Sequence, residues 1–401
     1  MRATDTPILI AGGGLGGLTT ALALGRKGRP VQVLEETAEV GAIGYGIQLG
    51  PNVFPMFTAL GITDAVLDIC LFPNAALMLD ALTGEEIARV PTGRAFRDRF
   101  QHPYVVLHRG DLHNVLIDAC RRLPAIEIVP STRIAGFNDL GDHVVVMSED
   151  GRRFEGAALI GADGLRSRVR AELLGNGEPR PIGYVAHRTI VPITSVPDDV
   201  RRTEVVLWAG PGFHIVHYPL RHGELFNIVA VFRTATHGEK NDARGYRIEL
   251  KRSFESAHPT MKTMLAMMDL ERRWPIADRD PSRRWSEGRV VLLGDAAHPA
   301  LQSLAQGACM AIEDGVCLAE LIELSQGEFE RAFRAFQAER RVRTARVQLE
   351  SRYLWEVYHA EDIARDVRRE TFAERTEADM FRCLAWLYDG FKLPAEPRWT
   401  P

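Results

Sequence analysis

The N-terminal segment changes from a continuous apolar run to a helical repeat and back. PILIA, residues 7–11, is apolar throughout and predicts a buried strand. Glycines follow, and three leucines then recur at helical spacing between residues 15 and 22, before Gly28 marks a helix end. Residues 31–34 are again strand-like. The pattern predicts a strand–helix–strand unit with short connections.

The middle of the chain is dominated by short strands. Residues 125–162 carry several of them, with a hairpin turn at Asp150-Gly151. TEVVLWAG, FHIVHYPL and ELFNIVAVF then succeed one another between short glycine-containing turns. Their β-branched and aromatic content predicts antiparallel strands. We therefore expect a distinct sheet over about 181–277.

Helical patterns occupy one earlier segment and most of the last quarter of the chain. A helix is expected over about 111–122, with Asp111 placed to cap it. GRVVLLGDAAHP predicts a buried strand and a loop, and QGACMAIEDGVCLAELIEL a helix after them. From about 327 to 390 the pattern is helical and charged, with Phe329, Phe333 and Phe336 on one face. The fold class is therefore mixed α/β.

Composition narrows the function classes only modestly. Hydrophobic residues make up 46% of the 401 residues and charged residues 25%, which is ordinary for a soluble globular protein. A net charge of −4 gives no reason to expect nucleic acid. An arginine cluster in the C-terminal region is interspersed with glutamates, so a solvated helix face is favoured over a nucleic-acid patch: Arg340, Arg341, Arg343 and Arg346.

Cysteine usage and apolar segments point to a reduced compartment. The five cysteines form no CxxC pair and are odd in number, which favours free thiols over a disulfide framework. The N-terminal apolar run is too short for a signal peptide, and no stretch approaches a transmembrane span. We expect a cytoplasmic protein without a membrane span.

The glycines after the first strand form a candidate nucleotide site. Gly12, Gly14 and Gly17 fit G-x-G-x-x-G between a strand and a helix, and Glu35 closes the second strand. Bare glycines let a pyrophosphate approach the helix N-terminus, and an acid at the second strand can accept hydrogen bonds from a ribose. A tight turn with close helix packing would explain the glycines alone. Strand, helix and acid together favour binding of NAD or FAD.

A histidine-rich stretch, GPGFHIVHYPLRHG at 210–223, raises the possibility of a metal site. In a strand His214 and Tyr218 share one face, whereas His217 points to the other and His222 lies in a turn. A three-histidine metal site would need convergent ligands. The alternation therefore predicts no metal here and leaves His214 and Tyr218 as a pair.

Three further motifs carry a family resemblance. GADGLRSRVR contains D-G-x-x-S-x-x-R from Asp163 to Arg170, GDAAHP contains Asp295 and Pro299, and HRGDLH supplies Arg109. In this order and spacing, together with the N-terminal glycines, they resemble the FAD-dependent aromatic hydroxylases, which are single-component flavoprotein monooxygenases. The resemblance spans about residues 7–325.

The resemblance implies where FAD would lie. The helix that begins near residue 307 would direct its N-terminus at the isoalloxazine ring. At least one of Glu313 and Asp314 is expected on an exposed turn of that helix. The cofactor-binding residues implied are Gly12, Gly14, Leu15, Gly17, Glu35, Arg109, Asp163, Asp295, Pro299, Gly307 and Ala308.

The resemblance also implies a division of the chain. The expected architecture is a Rossmann-like FAD-binding domain, a separate substrate domain built on an antiparallel sheet, and C-terminal helices. The FAD-binding domain would be discontinuous, from 1–72, 103–180 and 278–345, with 73–102 and 181–277 forming the substrate domain and 346–401 the helical region.

The implied activity is hydroxylation of a hydroxylated aromatic acid with NADH and O₂, through a flavin C4a-hydroperoxide. The first candidate is 3-hydroxybenzoate, giving gentisate, and salicylate and 6-hydroxynicotinate are the alternatives. His214, helped by Tyr218, would deprotonate the phenol, and Gln302 would orient it. A homodimer is expected. A reductase or halogenase on the same scaffold, or a non-enzymatic FAD-binding protein, are the more distant hypotheses.

Overall fold

The fold is described from a computed structural model, and the described residues are 6–38, 44–235 and 243–396. The strands in chain order are β1 (Ile8–Ala11), β2 (Val31–Leu34), β3 (Gly46–Leu49), β4 (Ala75–Asp80), β5 (Glu86–Pro91), β6 (Val105–His108), β7 (Ile126–Val129), β8 (Ile134–Asp139), β9 (Val144–Ser148), β10 (Arg153–Gly156), β11 (Ala158–Gly161), β12 (Arg180–Pro192), β13 (Val205–Gly210), β14 (Phe213–Leu220), β15 (Leu225–Arg233), β16 (Trp274–Asp278), β17 (Ser286–Glu287) and β18 (Val290–Leu292).

The helices lie between and after these strands. In chain order they are α1 (Leu15–Arg26), α2 (Phe54–Leu60), α3 (Thr63–Leu67), α4 (Arg94–Phe100), α5 (Arg109–Arg121), α6 (Arg168–Leu174), α7 (Ala243–Ser253), α8 (Pro259–Ala266), α9 (Gly307–Leu324), α10 (Phe329–Tyr358), α11 (Asp362–Ala373) and α12 (Glu377–Tyr388). Among the described residues, none of these helices combines the length and apolarity needed to cross a bilayer.

The N-terminal unit folds as its pattern predicts. β1 pairs in parallel with both β2 and β11 at the centre of a six-stranded sheet of order β17-β18-β11-β1-β2-β7. The strands β1, β11 and β18 are buried along their whole length, which explains their lack of alternation. Gly28 follows α1 with φ of +76°, the left-handed conformation that favours glycine. The mixed α/β fold class is confirmed.

The second sheet is mostly antiparallel and has seven strands, in the order β16-β12-β15-β14-β13-β4-β5. One face packs on a core with α7 and α8 that includes Trp208, Ile215 and Phe232. The opposite face turns toward the parallel sheet. β4 and β5 join this sheet although they precede it by about a hundred residues. The domain boundaries expected above stay a prediction.

Three expectations about charged side chains are wrong. Asp111 does not cap α5, because the helix begins at Arg109 after His108, and Asp111 pairs instead with Arg221 at 2.7 Å. Glu313 and Asp314 are both completely buried in α9. The arginine cluster of α10 is not a solvated face throughout, since Arg340 is also completely buried. A long-range partner determines the position of each group.

Candidate active site

A large cavity lies between the two sheets. Its volume is about 2060 Å³, and its walls come from the glycine turn after β1, the exposed face of the seven-stranded sheet and the C-terminal helices. Such a volume is larger than the usual small-molecule pocket of roughly 300–1,000 Å³. It offers room for a cofactor and a substrate together.

The turn between β1 and α1 forms the first wall. Gly12 has φ of +100°, and a Cβ at Gly17 would overlap the carbonyl oxygen of Gly12, so both positions require glycine. A Cβ at Gly14 would meet nothing within 4 Å, and this open side faces the cavity with Leu15. The backbone N–H groups at the start of α1 are therefore accessible to an anionic group.

Glu35 is held beside this turn. Its carboxylate accepts hydrogen bonds from the Gly13 amide at 2.6 Å and from the Thr37 amide and hydroxyl at 2.9 and 2.7 Å. His113 of α5 bonds to the Gly13 carbonyl at 2.7 Å and so braces the turn from the other side. An acid in this position can accept hydrogen bonds from ribose hydroxyls.

The opposite end of the same wall carries Arg109, Asp295, Gly307 and Ala308, all of which line the cavity. Burial raises the pKa of Asp295, although the positive charge of Arg109 acts in the opposite direction. Gly307 begins α9, so the positive end of the helix dipole faces the cavity. Pro299 lies behind this wall, and its carbonyl accepts a hydrogen bond from Gln348 at 3.0 Å.

The Asp163-Gly164 segment lines the cavity with its backbone, but the Asp163 carboxylate faces α6. It accepts hydrogen bonds from the Ser167 hydroxyl at 2.5 Å and from the amides of Arg168 and Val169. Arg170 donates to the carbonyls of Ala296 and Ala297 at 2.8 and 2.7 Å. The D-G-x-x-S-x-x-R motif therefore ties the loop after β18 to α6.

A buried ionic network supports the N-terminal half of α9. Arg340 of α10 donates to Glu313 at 2.6 Å and to Asp314 at 2.7 Å, and His298 contacts Asp314 at 2.5 Å. Burial opposes ionisation of Asp314, but the charges of His298 and Arg340 prevail and lower its pKa to about 2. His298 therefore belongs to the support of α9 and not to the cavity wall.

The seven-stranded sheet forms the other wall. Strand pairing aligns His214, Val216 and Tyr218 on its cavity face, whereas His217 faces the opposite core and accepts a hydrogen bond from Trp208 at 3.1 Å. His222 lies in the following turn, as predicted. The surrounding positions on the cavity face are apolar, among them Ala76, Met78, Val205, Leu207 and Val229.

His214 is 1% exposed and is held from the C-terminal end of α10. Its Nδ1 shares a hydrogen bond of 2.9 Å with Nε2 of His359, and its ring is edge-on to Trp355. Nε2 is therefore the nitrogen left for a ligand in the cavity. Burial, with the neighbouring His359, lowers the pKa of His214 well below its usual value, so the ring is neutral at pH 7.

Tyr218 belongs to a cluster of polar groups in an otherwise apolar part of the cavity. Burial raises its pKa, with a hydrogen bond to Gln48 acting in the opposite direction. Gln48 also accepts a hydrogen bond from the Tyr104 hydroxyl at 2.5 Å. A tyrosine that stays protonated at neutral pH can donate a hydrogen bond to a substrate oxygen.

Gln302 lies in the short turn before α9 and accepts a hydrogen bond from Arg188 of β12 at 2.8 Å. Both side chains line the cavity. Burial lowers the pKa of Arg188, and among the described residues its side chain has a hydrogen bond to Gln302 but no ion pair with a carboxylate. An unpaired guanidinium in a largely apolar cavity favours an anionic ligand.

The arrangement accommodates FAD. The glycine turn, Glu35, Arg109 and the N-terminus of α9 all line the cavity, and they supply accessible backbone N–H groups, a carboxylate and a cation, as a dinucleotide requires. The wall opposite the flavin end carries His214, Tyr218 and Gln302. Within the described part of the chain, no three metal-ligating side chains converge.

Sequence reasoning missed two residues of this region, one that lines the cavity and one that lies behind His214. Arg188 lies in the stretch GYVAHRTIVP, residues 183–192, and its signal is a charged residue at an inward position of an apolar strand. His359 lies 145 positions from His214, and no local pattern marks it.

Comparison with known proteins agrees with this geometry. The family described as "FAD binding domain" matches residues 5–351. The chain is 41% identical to 3-hydroxybenzoate 6-hydroxylase of Polaromonas naphthalenivorans over 96% of both chains. It is 33% identical to 6-hydroxynicotinate 3-monooxygenase of Pseudomonas fluorescens, over 85% of this chain and 89% of the relative.

Solved structures show the same fold with a bound flavin. Klebsiella pneumoniae HpxO complexed with FAD and uric acid superposes with a TM-score of 0.84 at 25% identity, over 96% of this chain and 98% of HpxO. The chain therefore belongs to the family of FAD-dependent aromatic hydroxylases.

Proposed function

We propose that this enzyme converts 3-hydroxybenzoate to gentisate, using NADH and O₂. The observation that carries the proposal is the cavity wall formed by the seven-stranded sheet together with Gln302, called the substrate wall below. On it, neutral His214 and Arg188, which has no carboxylate partner among the described residues, face one apolar cavity. Together they suit a substrate with a phenol and an anionic group. The relatives named for this reaction, at 41% identity over nearly the whole chain, support the same substrate.

The FAD roles belong to the same proposal. The backbone of Gly12, Gly14 and Leu15 would receive the pyrophosphate, Glu35 the ribose, and Arg109, Asp295 and the Gly307–Ala308 turn the remainder. Gly17 would keep α1 close to β1. Asp163 and Pro299 would act by holding their loops, because their own polar groups are bonded within the protein.

In the proposed reaction reduced FAD supplies, with O₂, an electrophilic oxygen. The substrate ring would lie on Val216, between His214 and Tyr218, with Gln302 near its hydroxyl. His214 Nε2 would accept the phenol proton, and the electron pair left on oxygen would increase the electron density at the para carbon. The apolar wall would exclude water from this step.

Two sister activities are the alternatives, namely hydroxylation of 6-hydroxynicotinate and of salicylate. The first is favoured as second candidate by the 33% identical relative. A cytoplasmic homodimer that prefers NADH completes the proposal, as the family resemblance implies.

The test is a substrate panel on the purified holoenzyme. NADH and O₂ consumption would be followed with 3-hydroxybenzoate, salicylate and 6-hydroxynicotinate, with NADPH in parallel and products identified by mass spectrometry. We expect gentisate in step with NADH loss. NADH oxidation that yields only hydrogen peroxide with 3-hydroxybenzoate would reject the substrate while leaving the flavin site intact.

A further inference from the structure

The C-terminal end of α10 places a second imidazole directly behind His214. Nδ1 of His214 and Nε2 of His359 are 2.9 Å apart, and His359 is 5% exposed. Its ring packs on Tyr184 with centroids 4.7 Å apart and on Trp355 at 4.8 Å. Two aromatic neighbours and one hydrogen bond therefore fix the orientation of both imidazoles.

We propose that His359 is a positioning residue that sets the tautomer of His214, so that an unprotonated Nε2 faces the substrate. The inference rests on the proposed role of His214 as base. His359 itself would not touch the substrate, because His214 lies between it and the cavity.

The two imidazoles share one hydrogen bond, so one ring donates and the other accepts. Nε2 of His359 is engaged by His214, and its Nδ1 has no hydrogen-bond partner among the described residues. The backbone carbonyl of Trp355 acts against burial and raises the pKa of the His359 ring. The proposal places the proton of neutral His359 on Nδ1, so that its Nε2 has the lone pair that accepts the shared bond.

The proton on the shared bond must then come from His214. Nδ1–H of His214 donates to His359, which leaves the lone pair of His214 on Nε2. When the phenol O–H bond breaks, the proton forms a bond to this Nε2 and the electron pair stays on the substrate oxygen. The imidazolium that results keeps its Nδ1–H···Nε2 bond to His359, which holds the ring in the same orientation.

Charged groups around the pair determine its response to pH. Burial lowers the pKa of His359 to about 3, and Arg233 of β15 and Arg368 of α11 act in the same direction. Tyr184 of β12 and Tyr358 of α10 also face the two imidazoles, and burial raises the pKa of both. Both imidazoles are therefore neutral above about pH 6, and the tautomer is the only variable that His359 controls.

The experiment compares His359→Phe, which keeps the aromatic packing, with His359→Gln, whose amide can still accept the hydrogen bond. Tyr184→Phe is the packing control, because it keeps the ring that packs on His359 and removes only a hydroxyl that accepts a hydrogen bond from Arg233. In the holoenzyme, kcat for the hydroxylated acid should fall about 10- to 100-fold in His359→Phe with little change in KM. His359→Gln should recover most of this loss.

The second readout needs no turnover. Histidine-selective ¹⁵N NMR of the holoenzyme with benzoate, which lacks the hydroxyl, reports the tautomer of His214, assigned by its loss in His214→Ala. We expect Nδ1–H in the parent and in His359→Gln, and a shift toward Nε2–H in His359→Phe. An unchanged tautomer in His359→Phe, or equal losses of kcat in Phe and Gln variants, would overturn the proposal. A parent that hydroxylates none of the panel would reject the function and leave this readout standing.

Discussion

The two walls of the cavity differ in how their residues are brought together. On the wall proposed to bind FAD (the FAD wall), the part around the glycine turn uses consecutive residues: Gly12 to Leu15 act within one turn, and Glu35 bonds directly to that turn. The substrate wall takes His214 from β14, Arg188 from β12 and Gln302 from the turn before α9, and His359 from the end of α10 supports His214 from behind. In the proposed function, the turn that receives the cofactor acts largely through its backbone, whereas the substrate is selected by side chains from distant segments.

The largest effect is expected from a pair of glycine substitutions in the FAD wall. Gly17→Ala would place a Cβ against the carbonyl oxygen of Gly12, which is rigid backbone, so we expect loss of FAD and of folded protein. Gly14→Ala has open space at the same atom and should fold like the parent while binding FAD more weakly. Flavin absorbance after desalting and thermal unfolding with added FAD measure both.

If Gly17→Ala kept the parent's stability and flavin content, the close contact between α1 and β1 would not be the reason for glycine at this position.

Substitutions in the substrate wall should instead lower the rate of hydroxylation. His214→Ala removes the proposed base and should lower kcat about 10²- to 10⁴-fold with normal FAD content. His217→Ala is the matched control, since His217 lies on the same strand but faces away from the cavity. Because burial lowers the pKa of His214 below 6.5, the base stays unprotonated and the parent's rate should hold as pH falls to about 6.

Stopped-flow kinetics under single-turnover conditions, with product analysis from pH 5 to 9, measure the rate of hydroxylation and its dependence on pH. A His214→Ala variant with the parent's rate and pH profile would end the base assignment.

Arg188 tests whether the substrate wall selects charge. Arg188→Met keeps much of the side-chain volume and removes the guanidinium, so KM for an aromatic acid should rise about 10- to 100-fold. The neutral amide of the same acid should bind the parent and the variant equally. Titration of the bound flavin spectrum with acid and amide measures the four dissociation constants.

Equal losses for acid and amide would mean that Arg188 acts only by holding Gln302.

The smallest expected effect concerns the support of α9 on the FAD wall. The pKa of Asp314 falls from 3.8 to about 2 in the folded protein, which corresponds to about 2 kcal/mol of folding stability. Because the folded value is the lower one, this stability is present above about pH 4 and is lost as pH falls toward 2. Urea unfolding at pH 7, 4 and 3 should show the parent's advantage over Asp314→Asn shrinking at the acid end.

Glu350→Gln, which changes a partly exposed acid of α10, serves as the control. A constant difference between the parent and Asp314→Asn over this range would assign the effect to packing.

Local residue patterns predicted the glycine turn between β1 and α1 well because its constraints are local. Gly12 has φ of +100°, and at Gly17 the helix packs against a backbone carbonyl. Both constraints favour glycine, and they act within a span of six residues. The period-two alternation likewise predicted that His214 and Tyr218 share a face and His217 does not.

The errors and omissions all involve long-range partners. Asp314 and Arg340 are acidic and basic residues on two helices, and nothing in either helix reveals that they neutralise one another in the interior. The same holds for Asp111, which Arg221 draws away from a capping role. Burial of a charge depends on its counter-charge, and that partner is chosen by packing.

The sequence by itself determined the strand–helix–strand unit, the glycine turn with its acid, the change to an antiparallel sheet and the family. Each follows from backbone stereochemistry or from the period of apolar residues over a short span. Only the tertiary structure decided which distant side chains come into contact, in particular His359 with His214 and Arg188 with Gln302. These contacts arise from strand register and helix packing, which depend on the energy of the whole chain and are not encoded in any one segment.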